Sequence, residues 1–228
     1  MFTNENSLQE LFGSIDIYLF DQLLKGKFVP GMRVLDAGCG SGRNLVYFLR
    51  NGYEVFSVDE SEAAISQMHR LAAALAPHLP PENFCVGRVE QMSFSQPRAE
   101  VANADRNNQS APAEGNNGDL FDVVLSSAVL HFARDEEHWQ AMVGEMWRVL
   151  KPGGVFFARL ASTVGMEHQL TLIEGRRYHL PDGSDRFLVD EAMLRRETAV
   201  LGGEFIEPIK TTVVENMRAM TTWVVKKK

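Results

Sequence analysis

Two carboxylates and three glycines carry the first chemical signal in this chain. The stretch Arg33-Val34-Leu35-Asp36-Ala37-Gly38-Cys39-Gly40-Ser41-Gly42-Arg43 reads as a short apolar strand that ends in an acid, then a glycine turn, then a helix over Arg43–Asn51. Glycine lets a backbone turn sharply and come close to a ligand. The helix start behind it offers free N–H groups and the positive end of a dipole. Such a strand–turn–helix unit holds a nucleotide-like ligand at the carboxyl edge of a parallel sheet. The second acid, Asp59, ends another apolar run, Glu54-Val55-Phe56-Ser57-Val58-Asp59, about twenty residues past the turn, where a carboxylate can accept ribose hydroxyls. Asp59 is also placed to cap the helix that follows. Ser61 can take that role instead and leave the acid for the ligand.

The dinucleotide fingerprint G-x-G-x-x-G/A needs a small residue at its last position for close helix–strand packing. Arg43 stands there, a poor fit to NAD or FAD. An acid directly before the turn repels a pyrophosphate and suits a ligand with an amino group, such as S-adenosylmethionine.

The string Val34 to Gly42 resembles the first motif of class I S-adenosylmethionine-dependent methyltransferases, V-L-D-x-G-C-G-x-G, position for position. The resemblance covers most of residues 30–160. It implies a cofactor site formed by Asp36, Gly38, Cys39, Gly40, Arg43 and Asn44, with Asp59 and Glu60 at the ribose. After the third strand the family usually reads G-D-A-x-x-L-P-F, and this chain reads Gly87-Arg88-Val89-Glu90-Gln91-Met92-Ser93-Phe94. Arg88 has no acceptor to offer the adenine amino group. The backbone contact from Val89 survives the change, and Glu90 is the substitute acceptor; Arg88 either stacks on adenine or is solvated. Phe121 to Phe132 matches F-D-x-V-x-S-x-x-x-L-H, which implies that Ser126 and Ser127 lie along the methionine part of the cofactor. His131 either faces the acceptor, as a base where one is needed, or is satisfied by the backbone. The D/N/S-P-P-Y/F tetrad is absent, which disfavours adenine-N6 methylation of DNA and glutamine methylation of proteins. The run Gly42-Arg43-Asn44 through Gly52-Tyr53-Glu54-Val55 is similar to the small bacterial tellurite-resistance and thiopurine branch, whose members methylate soft chalcogen nucleophiles.

These residues need a scaffold, and the chain supplies one. Its 228 residues, 45% hydrophobic, suffice for one α/β domain with a sizeable core. The expected strands are Met32–Ala37, Glu54–Asp59, Asn83–Val86, Phe121–Ser126, Val155–Leu160, Glu204–Val214 (interrupted or bent near Pro208) and Met220–Val225. Helices are expected over Ser7–Leu24, Arg43–Asn51, Glu62–Ala76, Glu136–Leu150 and Asp190–Leu201. Alternating strands and helices imply a parallel sheet covered on both faces. The last two strands are joined too closely for a crossover and form an antiparallel hairpin. The expected fold is therefore a Rossmann-like, doubly wound, mostly parallel seven-stranded sheet with an antiparallel last strand. Residues 1–228 form one domain, with a helical cap over 1–30, a flexible insertion over 95–119 and a substrate-side hairpin over 161–189. The insertion is rich in Asn, Ala, Asp, Gln, Gly and Pro and without periodicity, and reads as a solvated loop or a lid.

A formal net charge of −7 argues against a general nucleic-acid binder. No apolar run approaches the ~20 residues of a spanning helix. No metal site is indicated. Cys39 and Cys85 read as buried free thiols in a reducing compartment, so a soluble cytoplasmic enzyme is the expectation. Acceptor choice falls to elements outside the core sheet. Pro181-Asp182-Gly183 is a turn signal, and the hairpin it closes carries Arg177, His179 and Arg186, a locally basic group that favours an anionic acceptor or is simply solvated charge. Tyr18 either covers the sulfonium by a cation–π contact or packs as core. The reading is a methyltransferase that moves a methyl group from S-adenosylmethionine to a small molecule, with no nucleic-acid or membrane partner and a homodimer as one option. The rivals are a cofactor-binding regulator without turnover and a nicotinamide oxidoreductase.

Overall fold

The computed structural model describes residues 7–94 and 120–228. The expected insertion at 95–119 lies outside the described residues.

The central sheet has the order β10-β11-β5-β4-β1-β2-β3, with β9 alongside β11. Its strands are β1 (Arg33–Ala37), β2 (Glu54–Asp59), β3 (Phe84–Val86), β4 (Phe121–Ser127), β5 (Leu150–Ala161), β9 (Gly203–Phe205), β10 (Lys210–Val214) and β11 (Arg218–Lys227). β1 pairs in parallel with β2 and β4, and β4 with β5, whereas β11 runs antiparallel to both β5 and β10. This is the expected doubly wound sheet with a reversed last strand. Alternation along each strand divides the interior into two cores. Val34, Val55, Val123, Leu125 and Phe157 face one core with helices α2 (Ile17–Leu24), α3 (Val46–Arg50) and α4 (Glu62–Leu75). Leu35, Phe56, Val124, Phe156 and Trp223 face the other with α5 (Glu136–Val149) and α6 (Glu191–Val200). That two-faced burial is why the strands read as apolar runs rather than as polar–apolar alternation.

Three expectations need correction. The helix expected over Ser7–Leu24 is two helices, α1 (Leu8–Phe12) and α2. Gly13 takes φ +63°, and the Asp16 side chain accepts from the Tyr18 N–H at 2.9 Å, so a new N-cap restarts the chain. The helix expected over Arg43–Asn51 is only α3, so it starts after the glycine turn and not at Arg43, whereas the interruption expected near Pro208 is present and separates β9 from β10. Cys85 is only half-buried, although both cysteines are free. Residues 171–187 form a second, small antiparallel sheet of β6 (Thr171–Glu174), β7 (Arg177–His179) and β8 (Asp185–Phe187). β7 and β8 pair across the Pro181-Asp182-Gly183 turn with His179 opposite Asp185 and Tyr178 opposite Arg186.

Candidate active site

The carboxyl ends of β1, β2, β3 and β4 meet at one edge of the sheet, and two cavities open there. The first, of about 320 Å³, is lined by Gly38 after β1, Asp59 and Glu60 at the end of β2, and Gly87 to Glu90 after β3. Val129, Phe132 and Met142 add apolar wall. The second, of about 430 Å³, is lined by Asp16, Arg43, Ala128, His131 and Arg159, with the small sheet and its turn contributing Leu180, Asp182, Ser184 and Arg186. One segment divides the two. Ala128 and His131 face the second cavity while Val129 and Phe132 face the first. Ala128 begins that divide at φ +65°, an uncommon backbone for a residue with a Cβ and one that tends to mark functional sites.

The glycine turn fits against this wall. A Cβ on Gly38 would lie 2.4 Å from a Val129 methyl, and a Cβ on Gly42 2.2 Å from the Met68 sulfur. Gly38, Gly40 and Gly42 all take positive φ. Gly40 has open space around it, and its N–H donates to Asp59 Oδ2 at 2.9 Å. The other Asp59 oxygen accepts from the Ser61 N–H at 2.9 Å, while the Ser61 hydroxyl caps α4 by accepting from Ala64. Asp59 thus lines the cavity and also braces the turn.

Asp36 lines neither cavity but lies buried beneath the glycine turn. It is buried at 1% exposure, and among the described residues neither carboxylate oxygen has a hydrogen-bond partner. Burial pushes its pKa up to about 7; Arg43 opposes that shift and Asp59 adds to it. A buried carboxylate without a partner is costly, and a ligand ammonium group would supply the missing donor. Arg43 donates to the Ser127 hydroxyl at 3.0 Å and lines the second cavity. The Ser126 hydroxyl, fully buried, has no partner among the described residues.

Several residues singled out in the sequence do not converge on the cavities. The Cys39 thiol sits in the core beneath the turn, its pKa pushed up to about 12 by burial, and donates to the Gly40 carbonyl. Asn44 Oδ1 accepts from the buried Asp16 N–H at 3.0 Å and so fastens the chain between α1 and α2. The Tyr18 ring packs under the Arg159 guanidinium at 4.6 Å, and its hydroxyl bonds Thr212. On the small sheet the register puts Arg186 on the face with Tyr178, and Arg177 and His179 on the opposite face. His179 pairs with Asp185 at 2.8 Å, so of the three basic residues only Arg186 reaches the second cavity. Glu90 lines the first cavity and lies 3.4 Å from His138 on α5.

His131 lines the second cavity, yet its Nδ1 is buried without a partner among the described residues, so the backbone does not satisfy it. Burial first, then Arg186 and Arg218, lowers its pKa to about 4. The ring is neutral near pH 7.

Asp16, Arg159 and Arg218 line the second cavity and were not singled out in the sequence. Arg159 ion-pairs with Asp16 at 2.9 Å with both side chains largely buried. A lone arginine in the apolar run Val155-Phe156-Phe157-Ala158-Arg159-Leu160 was the available signal. Among the described residues no cluster of three or more His, Cys, Asp or Glu side chains could hold a metal, and no helix is long and apolar enough to cross a membrane.

A family model described as a methyltransferase domain matches residues 35–158, and the chain belongs to that family. It is 28% identical over 127 residues to an uncharacterized methyltransferase of Synechocystis, covering 56% of this chain and 46% of that protein. It is likewise 28% identical over 160 residues to a ubiquinone biosynthesis O-methyltransferase of Mesorhizobium japonicum, covering 69% and 53%. The chain spans about half the length of these curated relatives. Among solved structures, a 1,6-didemethyltoxoflavin-N1-methyltransferase of Burkholderia thailandensis with bound 1,6-didemethyltoxoflavin and S-adenosylhomocysteine shares the fold. Its TM-score is 0.62 at 17% identity over 95% of this chain and 79% of that one.

Proposed function

We propose that this protein transfers a methyl group from S-adenosylmethionine to a small-molecule acceptor. The observation that carries the reading is Asp36, buried and unpartnered beside Arg43 under the glycine turn. An amino acid end fits that pair, its ammonium to Asp36 and its carboxylate to Arg43. Asp59 and Glu60 take the ribose hydroxyls, and Val89 and Glu90 the adenine end of the first cavity. When bound, S-adenosylmethionine supplies a sulfonium methyl that an acceptor lone pair displaces in line, the S–C electron pair returning to sulfur. The protein then contributes position: the segment Ala128 to Phe132 holds cofactor and acceptor on its two sides. His131, neutral at the wall of the second cavity, is the group placed to receive an acceptor proton.

Residues 1–228 act as one domain in this reading. The helices before β1 close one side of the second cavity through Asp16, and the small sheet closes the other. All the residues named come from one chain. The location is cytoplasmic, where Cys39 and Cys85 persist as free thiols. Kinship with the tellurite-resistance and thiopurine branch adds little about the acceptor. In its signature Asn44 holds Asp16, and the Tyr53 hydroxyl donates to the Phe28 carbonyl at 2.9 Å, so both residues have structural partners.

Isothermal calorimetry with S-adenosylmethionine, S-adenosylhomocysteine and NAD tests the cofactor; tighter binding of NAD refutes the proposal. A second cavity directly across the Ala128–Phe132 wall favours an enzyme over a regulator. Transfer of label from methyl-labelled S-adenosylmethionine to members of a metabolite panel separates the two.

A further inference from the structure

The second cavity carries more positive charge than the methyltransferase reading uses, since that reading takes only Arg43, for the cofactor carboxylate. Four arginines, Arg43, Arg159, Arg186 and Arg218, line it against two aspartates, Asp16 and Asp182. Asp16 is committed to Arg159 at 2.9 Å. Asp182 accepts from the Ser184 N–H and hydroxyl and lies 3.9 Å from Arg218. Among the described residues Arg186 has no carboxylate within ion-pair distance. Its guanidinium lies over the Phe132 ring at 4.8 Å and donates to the Asp185 carbonyl at 2.7 Å, which fixes its plane at the cavity wall. His131, in the dividing wall itself, adds no charge near pH 7, because burial first and then Arg186 and Arg218 hold its pKa low. In an acidic protein, this is a concave, locally cationic pocket with one guanidinium held in place and in no ion pair among the described residues, Asp182 in the same lining feeling its charge only at longer range.

We infer that the second cavity binds an acceptor bearing an oxyanion group, a carboxylate or a phosphate-type group, with Arg186 as its principal anchor and Arg218 as the supporting charge. A planar guanidinium presents paired donors that match two oxygens of such a group. Phe132 connects the two sites, since its ring supports Arg186 while lining the first cavity. Anchoring the anion at Arg186 leaves the rest of the acceptor beside His131 and the wall, where its nucleophilic atom belongs. The inference rests on the methyltransferase reading only for the word acceptor; the anion site itself is a property of these side chains.

The test uses the full chain saturated with S-adenosylhomocysteine, whose own binding is measured by calorimetry. Benzoate, phenylphosphonate and neutral benzamide are then titrated at constant ionic strength, with melting temperature as a second readout. The expected result is a rise in melting temperature and measurable heat with at least one anion and neither with benzamide; which anion responds separates carboxylate from phosphate chemistry. Arg186→Gln is expected to weaken the anion roughly tenfold or more, as loss of a charge-assisted pair does, and Arg186→Lys to retain part of it. Arg218 is exposed, so Arg218→Gln provides a variant that folds and is expected to weaken the anion to a smaller degree. Equal response to benzamide, silence to both anions with S-adenosylhomocysteine bound, or full anion response in both glutamine variants would overturn the inference. Failure of S-adenosylhomocysteine itself to bind counts against the proposed cofactor instead.

Discussion

Asp59 at the end of β2 accepts a hydrogen bond from the Gly40 N–H, 2.9 Å away in the turn after β1, and so ties the two strand ends that frame the first cavity. The same carboxylate accepts from Ser61, which leaves its remaining lone pairs for a ligand. Asp59→Ala is therefore expected to act twice. It should weaken S-adenosylmethionine by about 1.5–3 kcal/mol, the scale of hydrogen bonds to a charged group, and lower the melting temperature of the ligand-free protein as the turn loosens. Calorimetry and thermal melting read the two effects separately. Unchanged affinity with a lowered melting temperature assigns Asp59 to the turn alone.

Gly38 and Val129 predict a conditional effect. Gly38→Ala places a methyl 2.4 Å from a Val129 methyl and puts an L-residue at φ +84°. The backbone part costs about 1–2 kcal/mol. The clash part should shift the wall between the cavities. Adding Val129→Ala is expected to restore affinity for S-adenosylhomocysteine while leaving the backbone part of the stability loss in place. Additive losses in the double variant would show that the contact between the two residues is not what limits the turn.

Much of this fold was legible because its signals are local. The strand–acid–glycine string, the helix caps and the apolar runs fixed β1, β2 and α4 to within a residue, and Ser61 caps α4 as its position suggested. Three residues of the first cavity were readable for the same reason: Gly38, Asp59 and Glu60 lie within one strand–turn–helix–strand unit. The second cavity was not, because it is assembled from Asp16, Arg43, His131, Arg159, Arg186 and Arg218, which are brought together only by tertiary packing. The Pro181-Asp182-Gly183 turn was recognised, but turn chemistry alone does not say which side chains share a face. The register decides that, and it separates Arg186 from Arg177 and His179. The break at Gly13 was missed because apolar spacing on both sides continues the helical pattern across it.

Asp36 gives the ligand-free protein a defined pH dependence. Its pKa rises from the ordinary 3.8 to about 7 on folding, so the folded state holds the proton more tightly than the unfolded chain. Stability from this group is present below about pH 4 and is lost as pH climbs toward 7. Asp36→Asn should remove that decline, visible as a flatter melting temperature between pH 5 and 8 (~3 units spanning the shifted value). Ligand binding runs the other way. An ammonium group needs the ionised carboxylate, so affinity for S-adenosylhomocysteine should increase from pH 5 to pH 7.5 with proton release, by up to about tenfold per unit below the pKa. Affinity independent of pH would place the ammonium elsewhere.

The Asp16–Arg159 pair predicts how the N-terminal helices are held. Both side chains are largely buried, and Asp16 also caps α2. Removing one partner of such a pair leaves an uncompensated charge, at a cost of about 3–5 kcal/mol. Asp16→Ala should accordingly destabilise far more than Lys25→Ala, because the Lys25 side chain is 36% exposed and its partner Glu207 keeps Lys210 when Lys25 is removed. Denaturant midpoints for the two variants check this. Similar losses would mean that the helices are held by apolar packing rather than by the pair.

His131 ties the second cavity to proton transfer. Its folded pKa of about 4 lies below the ordinary 6.5, so stability from its neutral form is fully present above pH 6.5 and is lost as pH falls through 4. The wild type should destabilise more steeply than His131→Asn over that interval, by roughly 2–3 kcal/mol at its lower end. Catalysis reads the same group differently. If His131 receives the acceptor proton, the acid limb of kcat/KM reports the free enzyme and falls near pH 4. The limb for kcat lies higher, because an anion paired with Arg186 cancels part of the positive charge that depresses the ring. His131→Asn should then lower kcat while leaving the affinity for S-adenosylmethionine intact, since the ring borders the second cavity and not the first. A shared limb near 6.5 that survives the substitution would assign the proton to the acceptor itself and leave His131 as part of the wall.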